Sequence, residues 1–141
     1  MAYLLDTNAV IALMKNNINF VEQARRVGRD QLRICASVEA ELWYGVYKSS
    51  KPEENRSHLL TLLTWLPSLP FSSEATQYFG DIRAALACQG KPIGPYDLQI
   101  AAIARAHGLI VVTHNIREFT RIPGLMVEDW QTELHPGDKH S

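Results

Sequence analysis

The chain has 141 residues, 46% apolar and 21% charged, with a formal net charge of −1. That is enough chain for one hydrophobic core without disulfides or structural zinc, and the balance excludes wholesale disorder and a fibrous class. The near-neutral charge counts against a nucleic-acid binder, whose footprint is ordinarily a basic excess.

Taken in order, residues 3–5 (Tyr-Leu-Leu) predict a short buried strand that runs straight into Asp6-Thr7-Asn8. Residues 8–15 follow with Val10, Ile11, Leu13 and Met14 at helical spacing, and the asparagine-rich stretch 16–19 breaks the pattern. Residues 20–27 are helical by period, Gly28 closes them, and residues 32–36 read as a second strand. Ser37 is placed to cap the helix that carries Glu41. A leucine-rich helix at 53–65, a short strand at 69–71 framed by Pro67 and Pro70, and a helix at 73–88 come next. The loop 91–95 leads into a helix at 96–107 with Pro95 in its first turn, and Gly108 ends it. Residues 109–112 are the clearest β-run, 114–119 read as loop into a short helix, and 125–127 as a last strand. The Pro-, Gly- and charge-rich stretch 133–141 is expected to be a disordered tail, which leaves a single domain at 1–132.

Strands alternating with helical segments predict an α/β fold, with a mostly parallel sheet of four or five strands and helices on both faces. No long apolar run or signal-like N-terminus occurs, so a cytoplasmic protein is expected, with no membrane partner. Cys35 and Cys88 form no CxxC pair and lie in apolar stretches, which predicts two buried free thiols without function. Two basic clusters, Arg25, Arg26, Arg29 and Arg33, and Lys48, Lys51 and Arg56, read as solvated helix faces unless a polyanion is the partner.

Three carboxylates stand where an α/β fold keeps its chemistry. Asp6 follows the first strand, Glu41 lies in a helix among the core-like residues Leu42, Trp43 and Val46, and Asp97 opens the helix after Gly94-Pro95. Singly, Asp6 reads as a helix cap and Asp97 as an acid favoured by the helix dipole. Gathered in one cleft, the three would repel one another unless a divalent cation neutralised them. Oxygen donors without thiolate or clustered imidazole select Mg²⁺, or Mn²⁺, over zinc. Glu39 points away from Glu41 and reads as surface. Asp81 reads as surface or as a partner of Arg83. Trp43, Tyr44, Tyr47, Tyr78 and Phe79 could stack bases, though most read as core or as an apolar face for a partner subunit.

The segments Leu4-Leu5-Asp6-Thr7-Asn8, Glu41-Leu42-Trp43-Tyr44-Gly45, Pro92 to Ala102 and Val112 to Phe119, closing with Val127-Glu128-Asp129-Trp130, resemble the PIN-domain nucleases. Among these they are most similar to the VapC toxins of bacterial toxin-antitoxin pairs. The resemblance spans almost the whole chain and implies a PIN-like fold and a Mg²⁺-dependent endoribonuclease toxin. It also implies a VapB-type antitoxin as partner, a homodimer assembling with it into a larger complex, and a structured RNA substrate, tRNA and in particular initiator tRNA. Asp6, Glu41 and Asp97 match the family's metal-binding, catalytic acids, and Thr7, Asn8 and Thr113 are implied as supporting residues. Where many relatives carry a fourth acid this chain has Asn115, and Glu118 either supplies that carboxylate or pairs with Arg117 or Arg121. His114 is not needed by metal-activated water attack, which would leave 5′-phosphate and 3′-hydroxyl ends.

Other readings are weaker. An aspartyl-phosphate phosphatase needs a second acid where Asn8 stands, and a receiver domain needs an acidic pair near the first strand. A structure-specific DNA nuclease of the flap type needs more carboxylates and helical insertions. The alternative of another class is a non-catalytic PIN-like interaction module.

Overall fold

In the computed structural model, which describes residues 1–132, Tyr3–Leu5 form β1, Leu32–Cys35 β2, Ser68–Leu69 β3, Ile110–Val112 β4 and Val127–Glu128 β5. All pair in parallel, in the order β3-β2-β1-β4-β5. The two inner neighbours β1 and β4 are apolar throughout, as a parallel strand covered on both faces must be. Leu4, Leu5, Val111 and Val112 are buried.

The helices flank this sheet: α1 (Thr7–Met14), α2 (Ile18–Val27), α3 (Ala36–Lys48), α4 (Pro52–Leu63), α5 (Ser73–Cys88), α6 (Pro95–His107) and the single turn α7 (Ile116–Phe119). A 3-10 turn at Arg29–Gln31 precedes β2. The helix α6 is the most enclosed, with Leu98 and then every residue from Ile100 to Ala104 buried. Pro95 starts it, where a missing N–H costs nothing. Gly108 stops it in the left-handed region at φ 65°, where glycine carries no Cβ penalty. The chain closes on an aromatic cluster in which Trp130 packs at 5.1 Å from Tyr3 and 5.2 Å from Phe20. No helix among the described residues is long and apolar enough to cross a membrane.

Several local expectations shift. The break after α1 is only Lys15 to Asn17, because the Asn17 side chain accepts the Phe20 N–H at 3.1 Å and so starts α2 two residues early. Ser37 does not cap α3; the helix begins at Ala36, and the Ser37 hydroxyl is drawn instead to the side-chain oxygen of Gln99 on α6. The strand expected at 69–71 is Ser68–Leu69, and that expected at 125–127 is Val127–Glu128, positions set by the ladder register to β2 and β4. Cys35 is buried but Cys88 is exposed. The helix α5 buries Ala75, Ile82 and Leu86 on one stripe, and Cys88 lies two residues, about 200°, round from Leu86. Asp81 is exposed as expected, but its partner is Arg105, at 3.4 Å, rather than Arg83. The expected tail, 133–141, lies outside the described residues.

Candidate active site at the carboxyl edge of the sheet

The sheet order reverses at β1, whose chain leaves for β2 on one side while β4 enters on the other. In open α/β sheets the ligand crevice lies outside the strand ends at such a switch point. Leu5 is in register with Val112, and the Asp6 N–H still bonds the Val112 carbonyl at 3.1 Å. Asp6 and Thr113 are therefore the first residues beyond the paired ends of β1 and β4.

Asp6 is only 6% exposed and Thr113 1%. One Asp6 carboxylate oxygen accepts the Ala9 N–H at 2.8 Å, so the residue does cap α1. The Thr113 hydroxyl donates to the same carboxylate and accepts the Asn115 N–H at 2.9 Å. Burial pushes the Asp6 carboxyl above the usual carboxylate range. The two hydrogen bonds oppose that, the Asp129 charge adds to it, and His114 offsets part.

Asp97 sits half-buried in the first turn of α6. Its carboxyl is also pushed up, first by burial and then by the negative charges of Asp6 and Glu118. A buried acid whose charge hinders the ionisation of a second acid at the sheet edge marks a place where a positive charge would be favoured. Glu118 itself accepts from Arg121 at 2.8 Å. Arg121 in turn donates to the Lys91 carbonyl, so α7 is clamped to the loop that positions Asp97.

Glu41 is half-buried on α3, one turn beyond Ser37 on the same face. The Ser37 to Gln99 contact sets that face against α6. Among the described residues, however, no three acidic, histidine or cysteine side chains are gathered closely enough to hold an ion by themselves. Asp97 thus feels the charges of Asp6 and Glu118, Thr113 stands beside Asp6, and Glu41 lies on a neighbouring helix. Thr7 is half-buried behind Asp6, while Asn8 and Asn115 are exposed. The Asn115 side chain caps nothing.

Two residues at this edge gave no distinct signal in the sequence. Gln99 is met by Ser37 across 62 positions. Asp129 accepts from Thr132 at 2.6 Å and from the Gln131 N–H at 2.9 Å, and lies 3.0 Å from a His114 ring nitrogen, interactions that hold its carboxyl below the usual range. In the sequence Asp129 appears only within the closing motif Val127-Glu128-Asp129-Trp130, and buried Trp130 anchors that segment in the structure.

A parallel five-stranded domain with carboxylates at its switch point belongs to the open α/β class that keeps its ligand site there. The family profile described as the PIN domain matches residues 3–125, and this chain belongs to that family. It is 40% identical over 128 residues to the tRNA(fMet)-specific endonuclease VapC of Salmonella typhimurium, covering 91% of this chain and 97% of that one. It is 41% identical over 130 residues to Ribonuclease VapC2 of Haemophilus influenzae, with the same coverage of each. Among solved structures, VapBC2 of Rickettsia felis bound to a promoter DNA fragment superposes with a TM-score of 0.85 at 39% identity, covering 92% of this chain and 99% of that chain. DNA-bound VapBC of Salmonella typhimurium gives 0.85 at 40% identity, covering 92% and 98%.

Proposed function

We propose that this chain is an endoribonuclease toxin of the VapC type, active in the bacterial cytoplasm. It hydrolyses a phosphodiester in structured RNA, with tRNA, and the initiator tRNA anticodon loop within it, as the substrate. A VapB-type antitoxin neutralises it, and the toxin works as a homodimer that assembles with that antitoxin. The observation that carries the reading is buried Asp6, the first residue beyond β1 at the sheet switch point, whose charge acts on Asp97 in the first turn of α6. Relatives named as ribonucleases, about 40% identical over nine-tenths of the chain, supply the substrate class.

The donor set fits Mg²⁺ or Mn²⁺. It is all oxygen, and Mg²⁺ takes one or two carboxylates together with waters and substrate phosphate, so a convergent cage of three acids is not needed. Asp6 and Asp97 would hold the ion, with Glu41 and Glu118 completing the catalytic carboxylates as the RNA arrives. Such an ion supplies a lowered water pKa and charge neutralisation at the scissile phosphate.

The protein's own part is orientation. The Ala9 N–H holds one carboxylate oxygen of Asp6, and the Thr113 hydroxyl stands beside that carboxylate. Thr113 is fixed in turn by the Asn115 N–H, and Thr7 and Asn8 line the start of α1 beside it. Arg121 offsets one charge of Glu118 and steadies the loop before Asp97. A water at this edge would give its proton to a carboxylate as it attacks phosphorus, the P–O3′ bond would break and the departing 3′ oxygen would take a proton from solvent, leaving 5′-phosphate and 3′-hydroxyl ends.

The test is a total tRNA pool incubated with the protein and Mg²⁺, with EDTA, and with Asp6→Asn and Asp97→Asn variants. Discrete fragments with 5′-phosphate ends that vanish with EDTA and in both variants are expected. A 2′,3′-cyclic phosphate product, or cleavage indifferent to metal, would overturn the mechanism. Metal-independent RNA or protein binding without cleavage would favour the non-catalytic module.

A further inference from the structure

We propose that the outer face of the α3 and α4 hairpin is a stacking platform for the RNA strand beside the scissile phosphate. This rests on the ribonuclease reading above and adds to it the surface that receives the substrate. Tyr44 and Tyr47 are 62% and 66% exposed, although a phenol ring costs hydrophobic free energy when left in water. They are not loose. Tyr47 stacks on half-buried Trp43 at 6.0 Å and 26°, Arg56 reaches across from α4 to lie 5.4 Å over Trp43, and its guanidinium donates to the Tyr47 hydroxyl at 3.3 Å. The Lys48 ammonium sits 4.9 Å over the Tyr44 ring.

The patch continues from Glu41 along α3, away from the sheet edge. Glu41, Tyr44 and Lys48 stand at i, i+3 and i+7 on one stripe of α3. With a rise of 1.5 Å per residue the stripe extends about 10 Å beyond Glu41, roughly three nucleotides at a stacked spacing of about 3.4 Å. Exposed aromatic faces interleaved with cations are what a single strand needs, because every base has a π-face and every linkage a negative charge.

What separates this basic cluster from the other is the exposed rings among its cations. In the first, Arg25 pairs with Glu22 at 3.7 Å, Arg29 covers Trp65 at 3.9 Å, and Arg33 donates to the carbonyls of Asp30 and Leu32. Among the described residues, Lys48, Lys51 and Arg56 meet no carboxylate at ion-pair distance, even though Glu53 and Glu54 occupy the first turn of α4 and Glu39 accepts from the Trp43 indole at 3.4 Å. Lys48 and Arg56, beside two presented rings and without a carboxylate partner among the described residues, favour a polyanion with flat apolar parts.

The experiment measures binding of fluorescent tRNA to Asp97→Asn protein in Mg²⁺, alone and combined with Tyr44→Ala, Tyr44→Phe, Tyr47→Ala or Lys48→Ala. Cleavage by the unaltered protein is followed in parallel. Both tyrosine-to-alanine changes should weaken binding about five- to a hundredfold with unchanged melting, and Tyr44→Phe should retain it. Lys48→Ala should lower the salt slope by about one. Cleavage by the unaltered protein together with equal binding by all variants overturns the platform and leaves the ribonuclease reading standing. Tyr44-dependent binding without cleavage supports the platform and sinks that reading, and neither binding nor cleavage sinks both. Displacement of tRNA by a poly-glutamate peptide at equal affinity, indifferent to Tyr44→Ala, would mark an acidic-protein surface and overturn the proposal.

Discussion

Along α6 the two kinds of region in this molecule meet within a single helix. From Ile100 to Ala104 the helix is wrapped by the core, while one turn earlier Asp97 faces two other acids at the sheet edge. The strands repeat the contrast, since Leu4 and Leu5 are buried beside Asp6, and Val112 beside Thr113. Burying apolar side chains stabilises the fold by about 1.5–3 kcal/mol each, whereas burying a carboxylate works against it unless something compensates. The polar edge therefore persists at a cost to stability, which is the usual signature of a site kept for function.

The contrast can be broken from either side. Ile103→Ala, in the apolar stretch, should destabilise by about 2–5 kcal/mol in denaturant unfolding, and any surviving folded fraction should keep its specific activity. Asp97→Asn or Asp6→Asn should do the opposite. Cleavage should fall at least about a hundredfold, since loss of outer partners alone costs 10–100-fold at metal sites. Folding should be unharmed or improved without metal, because Asn still caps a helix and carries no charge. A variant that loses activity only by unfolding would remove the distinction.

Thr113→Val keeps the side-chain shape but deletes the hydroxyl between Asp6 and the Asn115 N–H. A loss of about tenfold in activity is expected, with about 1–3 kcal/mol of stability for the N–H left without its partner. Activity equal to the unaltered protein would show that Thr113 does not orient Asp6.

The smallest effect is on pH. Asp6 and Asp97 have folded pKa values raised above their unfolded ones, so between those values the native state binds more protons than the unfolded chain. In EDTA their contribution to stability is greatest in acid and falls as pH rises out of the usual carboxylate range. Asp129, shifted the other way, contributes stability that is lost as pH falls through its lowered value. The difference in melting temperature between the unaltered protein and an Asp6→Asn, Asp97→Asn double variant should grow as pH rises. A difference that stays flat would contradict the shifts.

How much of this was legible in the sequence follows the same division. The strand ending at Asp6, the helix opened by Pro95 and closed by Gly108, and the strand before Thr113 are written in local pattern, and the structure has them within a residue. The order of four short motifs carried the family. What local pattern could not carry were contacts across the chain. Ser37 had the composition of a cap, but Gln99 competed for its hydroxyl. Asp81 found Arg105 on the next helix instead of its neighbour. Asp129 reaches the site only because the closing segment folds back on Tyr3 and Phe20 through Trp130. The near-neutral net charge also hid a local fact, since it averages over the acids at the sheet edge and the cations beside the exposed tyrosines of the hairpin.

The most direct measurement is melting temperature at neutral pH against Mg²⁺ concentration, for the unaltered protein and for Asp97→Asn. A cation held by the Asp6 and Asp97 pair should stabilise the unaltered protein by about 2.7 kcal/mol at a hundred times its Kd, a rise of several degrees. Asp97→Asn should start as high or higher in EDTA and gain little. A melting temperature unmoved by Mg²⁺, or raised equally in both proteins, would contradict the claim that these two carboxylates await a metal ion.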